Sequence, residues 1–288
     1  MNFLSNVING IRNLLWKVRR FLVIILLLAM PIAIYLGFIR EVPLFEAEYD
    51  IQLGEQTVQS IAQSPEEYPI LPKSEYPEAY NYLQNLVNDI VDSPHIKHKD
   101  IFKYDDVKII QNDSVLNAFC VPGGYIYVYS GIIKYLEHED HLAGVIGHEI
   151  AHAELRHSSM KLQKEYGKSA VVDFIILANP ATTLGGIVAA DIFRDLVNLK
   201  YGREQEAQAD EWSVKYLSDS KYSCDGVAGF FAQMIEEGND VNIPEFLSDH
   251  PGSQNRVDDV AKMVKELGCS TTLSDVSSWK AFQEMFPK

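Results

Sequence analysis

From Glu78 to Val91 apolar residues recur every three or four positions: Ala79, Tyr82, Leu83, Leu86, Val87, Ile90 and Val91. That spacing predicts an amphipathic helix. The period then shortens. Asp106–Gln111, Asn117–Val121 and Tyr125–Tyr129 predict short strands, the last two joined by the turn Pro122-Gly123-Gly124. After Gly131 helical spacing returns and runs almost to the end of the chain. Residues 40–75 mix acids, Pro69, Pro72 and short apolar pieces, which predicts a linker with one short helix around Gln56–Gln63. The body is then residues 76–288. No internal repeat or low-complexity tract interrupts it.

Two stretches are apolar without periodicity. Phe21 to Ile39 is 19 residues without a charge, close to the length of helix that crosses a roughly 30 Å hydrocarbon layer. Basic residues Lys17–Arg20 precede it, as they would in a cleaved leader, but no small-x-small site follows, and the run exceeds the usual length of a leader's apolar core. The expectation is a transmembrane anchor at 21–39 with residues 1–20 as a cytoplasmic tail. Val171 to Phe193 contains Asp173, Asn179, Pro180, Gly185, Gly186 and Asp191, and the Asn-Pro pair would break a spanning helix, so buried helical pieces of the body are expected there.

Charge fixes the orientation. Of 25 basic and 40 acidic residues in the chain of 288, residues 1–40 hold five basic and no acidic ones. The positive-inside rule puts the tail in the cytoplasm and the body on the extracytoplasmic side, which is the periplasm in a Gram-negative host. A body that acidic repels phosphate backbones, so nucleic acid is not expected as a partner. Three cysteines leave two readings open: Cys224 paired with Cys269 and Cys120 free, or three unpaired buried thiols.

The chemistry is concentrated at His148-Glu149-Ile150-Ala151-His152. On a helix, residues four apart share a face, so both imidazoles reach one ion. Glu149 stands about 100° round the helix, where a carboxylate can take the proton of an attacking water. Leu142, Val145, Ile146, Ile150 and Leu155 give this segment a helical apolar pattern, and Glu139 and Asp140 suit its N-terminus. A catalytic zinc needs a third protein ligand. Position 158 is Ser, so the metzincin spacing fails. His157 falls off the ligand face and is expected in a supporting or packing role. Glu206 is the better candidate, with Asp210 four residues on and placed to orient a ligand imidazole through its second nitrogen. His95, His98, His138 and His141 are expected to be solvated.

With these pieces together the chain resembles the zinc metallopeptidases typified by HtpX and the CAAX prenyl protease, especially their bacterial periplasmic branch. The resemblance rests on Asn117-Ala118-Phe119 with Pro122-Gly123-Gly124, Glu139 with Leu142-Ala143, His148–His152 continuing to Arg156-His157-Ser158, Arg203 to Asp210, and His250-Pro251 with Arg256. These pieces occur in order over about 140 residues. One departure is Gly202, where relatives often carry Ser.

The resemblance implies an α+β, mainly helical zincin-like metallopeptidase domain with a small β-sheet, beside the one N-terminal transmembrane helix. It implies one zinc per chain on His148, His152 and Glu206, Glu149 as general base and Asp210 behind the ligands. Asn117, Ala118 and Phe119 would border the cleft as an edge strand to which a substrate adds by main-chain hydrogen bonds. His250 would cap the zinc and shut the site, donate to the oxyanion, or serve a structural loop, and spacing does not choose. Arg256 would pair with Asp210 or Glu206, or be solvated. The expected partners are protein or peptide substrates and, through the anchor, the membrane. The expected activity is endopeptidase action in quality control of envelope proteins. The rival is a chaperone or assembly factor with a latent, gated protease site.

Overall fold

A computed structural model describes residues 12, 15–23, 25, 27–30, 46–166, 196–197, 200–236, 246, 250 and 254–287. They belong to two units, Met1–Leu44 and Phe45–Lys288. In the first, every described residue is helical, and Phe21, Leu22, Leu27 and Leu28 are exposed. Among the described residues no helix is long and apolar enough to cross a membrane. Ile24, Leu26 and residues 31–39 of the predicted anchor lie outside them, as does the apolar stretch 171–193.

The second unit begins with α1, Ala47–Ala62. This stretch was expected within a linker with only a short helix, yet it forms 16 residues of helix that bury Asp50, Leu53, Thr57 and Ile61. Its apolar residues are too few for a strong periodic signal, because the buried face includes Asp50 and Thr57. Helix α2, Pro77–Val91, matches the expected amphipathic helix and starts with Pro in its first turn, where the missing N–H costs nothing. Leu83, Val87 and Ile90 are fully buried, each contributing about 1.5–3 kcal/mol by apolar burial.

Three strands follow: β1 (Lys108–Ile110), β2 (Ala118–Val121) and β3 (Tyr125–Tyr129). Their order is β1-β3-β2, with β1 parallel and β2 antiparallel to β3. The β2–β3 turn needs left-handed backbone at Gly123 and Gly124, with φ of 80° and 88°, which glycine adopts without a Cβ clash. Strand β2 is therefore an edge. Its backbone phase follows from one bond: Tyr129 N–H donates to the Asn117 carbonyl at 3.1 Å. Antiparallel alternation then turns the N–H and C=O of Ala118 and Cys120 toward the open edge.

After the short helix α3, Ser130–Tyr135, comes α4, Glu139–Glu154. Helix α4 carries the His-Glu-x-x-His segment and is buried along its length except at His141. It packs against β2, α5 (Arg203–Ser218) and α6 (Gly226–Glu236). At the α4–α6 crossing a Cβ on Gly144 would lie 2.0 Å from the Val227 amide nitrogen, so only glycine permits the approach. The chain ends with α7, Gln254–Leu267, and α8, Val276–Gln283. A disulfide joins Cys224 to Cys269, which resolves the open pairing, and Cys120 is a buried free thiol.

The C-terminal end of α4 is held by two buried acids. Glu154 accepts from Lys97 N–H at 2.8 Å, His98 Nδ1 at 3.1 Å and the Tyr104 hydroxyl at 2.7 Å. His98, expected to be solvated, is thereby half-buried. Asp50 of α1 pairs with Arg156 and accepts from the Ser159 hydroxyl. Arg156 has a left-handed φ of 60°, and this reversal starts a second helical stretch at residues 157–166.

Candidate metal centre

Helix α4 presents His148 and His152 on one face, and α5 presents Glu206 and Asp210 one turn apart on the face opposite. All four are buried. His148 Nε2 and His152 Nε2 approach to 3.0 Å, and Glu206 Oε2 is 3.4 Å from His148 Nε2. His250 joins them, with Nδ1 3.0 Å from Glu206 Oε1 and 3.2 Å from His148 Nε2. One ligand atom from each of His148, His152, Glu206 and His250 lies within 4.8 Å of the others.

This arrangement fits a zinc ion by its own chemistry. The Nδ1 of each inward-facing histidine meets another partner, Asp210 Oδ1 at 2.9 Å for His148 and His157 Nδ1 at 2.9 Å for His152. With the hydrogen of each on Nδ1, the two Nε2 lone pairs face each other across 3.0 Å, an arrangement that a cation between them satisfies. Glu206 Oε2 is buried, facing Arg256 Nη1 at 2.9 Å and His148 Nε2 at 3.4 Å. Two imidazoles and a carboxylate are the donor set that favours zinc over hard cations.

Arg256 of α7 closes the site from behind. Its Nε donates to Asp210 Oδ2 at 2.7 Å and its Nη2 to Oδ1 at 2.6 Å, a bidentate grip. It therefore pairs with both acids that the sequence offered as alternatives. Burial opposes ionisation of Asp210 and Glu206, yet both carboxyls stay below the usual range. His148 and Arg256 hold down Asp210, and the imidazoles of His250 and His148 hold down Glu206.

Glu149 lies against the edge strand. Its Oε2 accepts the Cys120 N–H at 3.2 Å, and its Oε1 is 3.3 Å from His250 Nε2. Of the residues picked from the sequence as substrate-binding, Ala118 turns its main-chain groups to the open edge. Asn117 gives its carbonyl to β3, and the alternation commits Phe119 to β3 as well. Cys120 takes the place next to Ala118. Phe119 instead stacks its ring on Tyr127 on the other face of the sheet.

Two groups were missed by sequence reasoning. Tyr201 stacks on His152 with ring centroids 3.8 Å apart and shares a hydrogen bond with Ser158. Gln208 Oε1 is 3.1 Å from His157 Nε2. Gln208 lies two residues past Glu206, so its position on the ligand helix was a usable signal. Tyr201 offered none. Burial drives the His157 pKa down to about 4. His141, expected to be solvated, lies 3.4 Å from Gln233 Oε1, and burial lowers its pKa.

Comparison with known proteins matches residues 77–264 to the model of "Peptidase family M48". Curated relatives include "Mitochondrial metalloendopeptidase OMA1" of Schizosaccharomyces pombe, 28% identical over 59% of this chain and 51% of that protein. "Metalloprotease LoiP" of Escherichia coli is 29% identical over 64% of this chain and 68% of its own length. "Beta-barrel assembly-enhancing protease" of Yersinia pestis is 25% identical over 67% of this chain and 40% of its own. The chain thus spans about half the length of most of the curated relatives it matches.

Proposed function

The chain belongs to peptidase family M48, and from that premise we propose that it is a zinc metalloendopeptidase acting on protein substrates. The family match supports this level of description and not the finer HtpX or CAAX type. The observation that carries the reading is the convergence of His148, His152 and Glu206 beside Glu149, with the open edge of β2 against the same carboxylate. Zinc, when bound, supplies Lewis acidity that polarises the scissile carbonyl and acidifies water. The other roles belong to the chain. Ala118, with its N–H and carbonyl, and Cys120, with its carbonyl, offer main-chain groups that align an extended peptide, while the Cys120 N–H holds Glu149. Glu149 takes the proton of the attacking water on its carboxylate and returns it to the leaving amine. Asp210 fixes the His148 tautomer, and Arg256 neutralises Asp210.

The proposal includes an anchor at residues 21–39 and an extracytoplasmic body engaged in quality control of envelope proteins. Support for the anchor is its uncharged sequence and the charge asymmetry around it. The Cys224–Cys269 disulfide supports an oxidising compartment. A relative named as assembly-enhancing, and the packing of His250 against Glu149, favour a second reading, an assembly factor whose protease site is latent.

The test uses the full chain. Zinc content and casein cleavage are measured for the wild type and Glu149→Gln. The reading expects about one zinc per chain and loss of cleavage by roughly 10²–10⁴-fold in the variant. A chain without zinc, or a Glu149→Gln enzyme as active as wild type, overturns it. A Glu149→Gln variant that retains biological function selects the assembly factor.

A further inference from the structure

The two candidate ligand histidines of α4, His148 and His152, are not supported alike. His148 gives its Nδ1–H to a carboxylate, Asp210. His152 faces another imidazole, with its Nδ1 2.9 Å from His157 Nδ1, and His157 in turn faces Gln208. All three histidines are buried.

With His152 ligating through Nε2, proton positions along this second chain admit one assignment. His152 turns Nε2 toward His148 and Glu206, 3.0 Å and 3.7 Å away, so Nε2 is the atom that can ligate. Its hydrogen is therefore on Nδ1. Two N–H groups cannot meet at 2.9 Å, so His157 Nδ1 must accept and its hydrogen must be on Nε2. That nitrogen lies 3.1 Å from Gln208 Oε1, an acceptor, which closes the chain without a conflict.

We infer that His157, backed by Gln208, is the positioning residue for the metal ligand His152, locking it in the Nδ1–H tautomer with Nε2 presented to the ion. The inference rests on His152 being a ligand as proposed above. Its geometry is built by two features. The left-handed Arg156 reverses the chain directly after α4, so a residue five positions past His152 returns to it. Gln208 projects from the same helix as the ligand Glu206, which ties the orientation of His152 to the placement of the carboxylate. The acceptor on His152 is neutral where that on His148 is anionic. The two imidazoles therefore donate unequally, and the ion keeps more of its Lewis acidity than two carboxylate-backed histidines would leave it.

Packing alone predicts the opposite ranking of two substitutions. Phe at 157 preserves the ring and removes the acceptor. Asn removes the ring and keeps an acceptor, because its Oδ1 occupies the position of the imidazole Nδ1. Zinc affinity is measured on the full chain by competition with a chromophoric chelator, together with the visible spectrum of the cobalt-substituted protein and the melting temperature of the metal-free form. His157→Phe is expected to weaken zinc binding about 10–100-fold and to shift the cobalt bands, while His157→Asn stays within about threefold of wild type, as a hydrogen-bond role requires. The inference is overturned if His157→Phe binds zinc like wild type, or if His157→Asn is as weak as His157→Phe. Unchanged affinity in Gln208→Leu would overturn the outer link. A wild-type chain that binds no zinc fails the metal-site reading itself, a different result from a wild type that binds and variants that do not differ.

Discussion

His250 stands between Glu206 and Glu149: its Nε2 is 3.3 Å from Glu149 Oε1, while its Nδ1 faces Glu206 Oε1 at 3.0 Å. One imidazole thus contacts both the carboxylate that would move a proton and the carboxylate that would hold the ion. A peptide carbonyl and an attacking water need the same space. His250→Ala is expected to raise casein cleavage several-fold, on the order of 1 kcal/mol in barrier, with zinc content unchanged because three protein ligands suffice for a catalytic site. Cleavage that falls in His250→Ala would assign the residue to stabilising the transition state instead.

The cluster that the structure gathers was legible in part: helical spacing places His148 with His152 and Glu206 with Asp210, and the resemblance joined the two pairs into one candidate ligand set. The partner of Arg256 was half legible, since the resemblance offered two acids and the structure uses both. What escaped was the geometry decided by the turn after α4, although a supporting or packing role was expected of His157. A left-handed Arg156 has no sequence signature, yet it directs His157 back to His152 and points Arg156 at Asp50. Helix α1 escaped for a related reason. Its buried face carries Asp50 and Thr57, polar residues satisfied by partners remote in sequence or by their own turn, so the apolar period that reveals α2 is broken there. The phase of β2 also depended on one main-chain bond, and without it Asn117 and Phe119 looked as available as Ala118.

Glu154 gives a pH dependence to the end of α4. Burial alone would raise its pKa, and the hydrogen bonds from His98, Tyr104 and Lys97 overcome that and hold it below the usual value. A depressed folded pKa contributes stability above the unfolded pKa and loses it as pH falls through the folded one. Glu154→Gln is expected to cost about 2 kcal/mol at pH 7, the range for hydrogen bonds to a charged group. Its deficit against wild type should shrink below about pH 4 as the wild-type carboxyl protonates. Urea unfolding at pH 7 and pH 3.5 checks both statements. A deficit of equal size at the two pH values would show that charge plays no part.

The Cys224–Cys269 disulfide closes a loop with a sequence separation of 45 residues that contains α6 and α7. Helix α7 carries Arg256, whose guanidinium neutralises Asp210 and faces Glu206. Chain-entropy arguments give such a crosslink roughly 4 kcal/mol. Cys224→Ser is expected to lower the unfolding free energy by up to about that amount. The loss should be matched by Cys269→Ser and by reduced wild type, and should not add in the double variant. Zinc affinity should fall in parallel, because α7 then holds Arg256 less firmly. Unequal losses in the two single variants would point to local packing in place of the crosslink.

The ion pair of Asp50 with Arg156 binds α1 to the turn that follows the metal helix, and its energetics are not those of a simple attraction. Both side chains are buried, with Arg156 also donating to the Glu46 carbonyl at 2.9 Å. Burial raises the Asp50 pKa more than Arg156 and Ser159 lower it. A raised folded pKa means that ionising Asp50 is harder in the folded chain than in the unfolded one. The group therefore favours folding most at low pH and less once pH passes the folded pKa. Removing its charge while keeping its shape should accordingly cost little. Asp50→Asn preserves an acceptor for Ser159 or Arg156 and is expected to lose only about 1 kcal/mol. Asp50→Ala removes the acceptor of both Arg156 Nε and the Ser159 hydroxyl and empties the site beside a buried guanidinium, and is expected to lose about 3–5 kcal/mol. Arg156 sets the turn that brings His157 to His152, so Asp50→Ala should weaken zinc binding as well, although Asp50 is not a ligand. Thermal unfolding and chelator competition on the two variants decide the matter. Equal losses for Asn and Ala would show that the ionised carboxylate, and not the filled and hydrogen-bonded site, holds the turn in place.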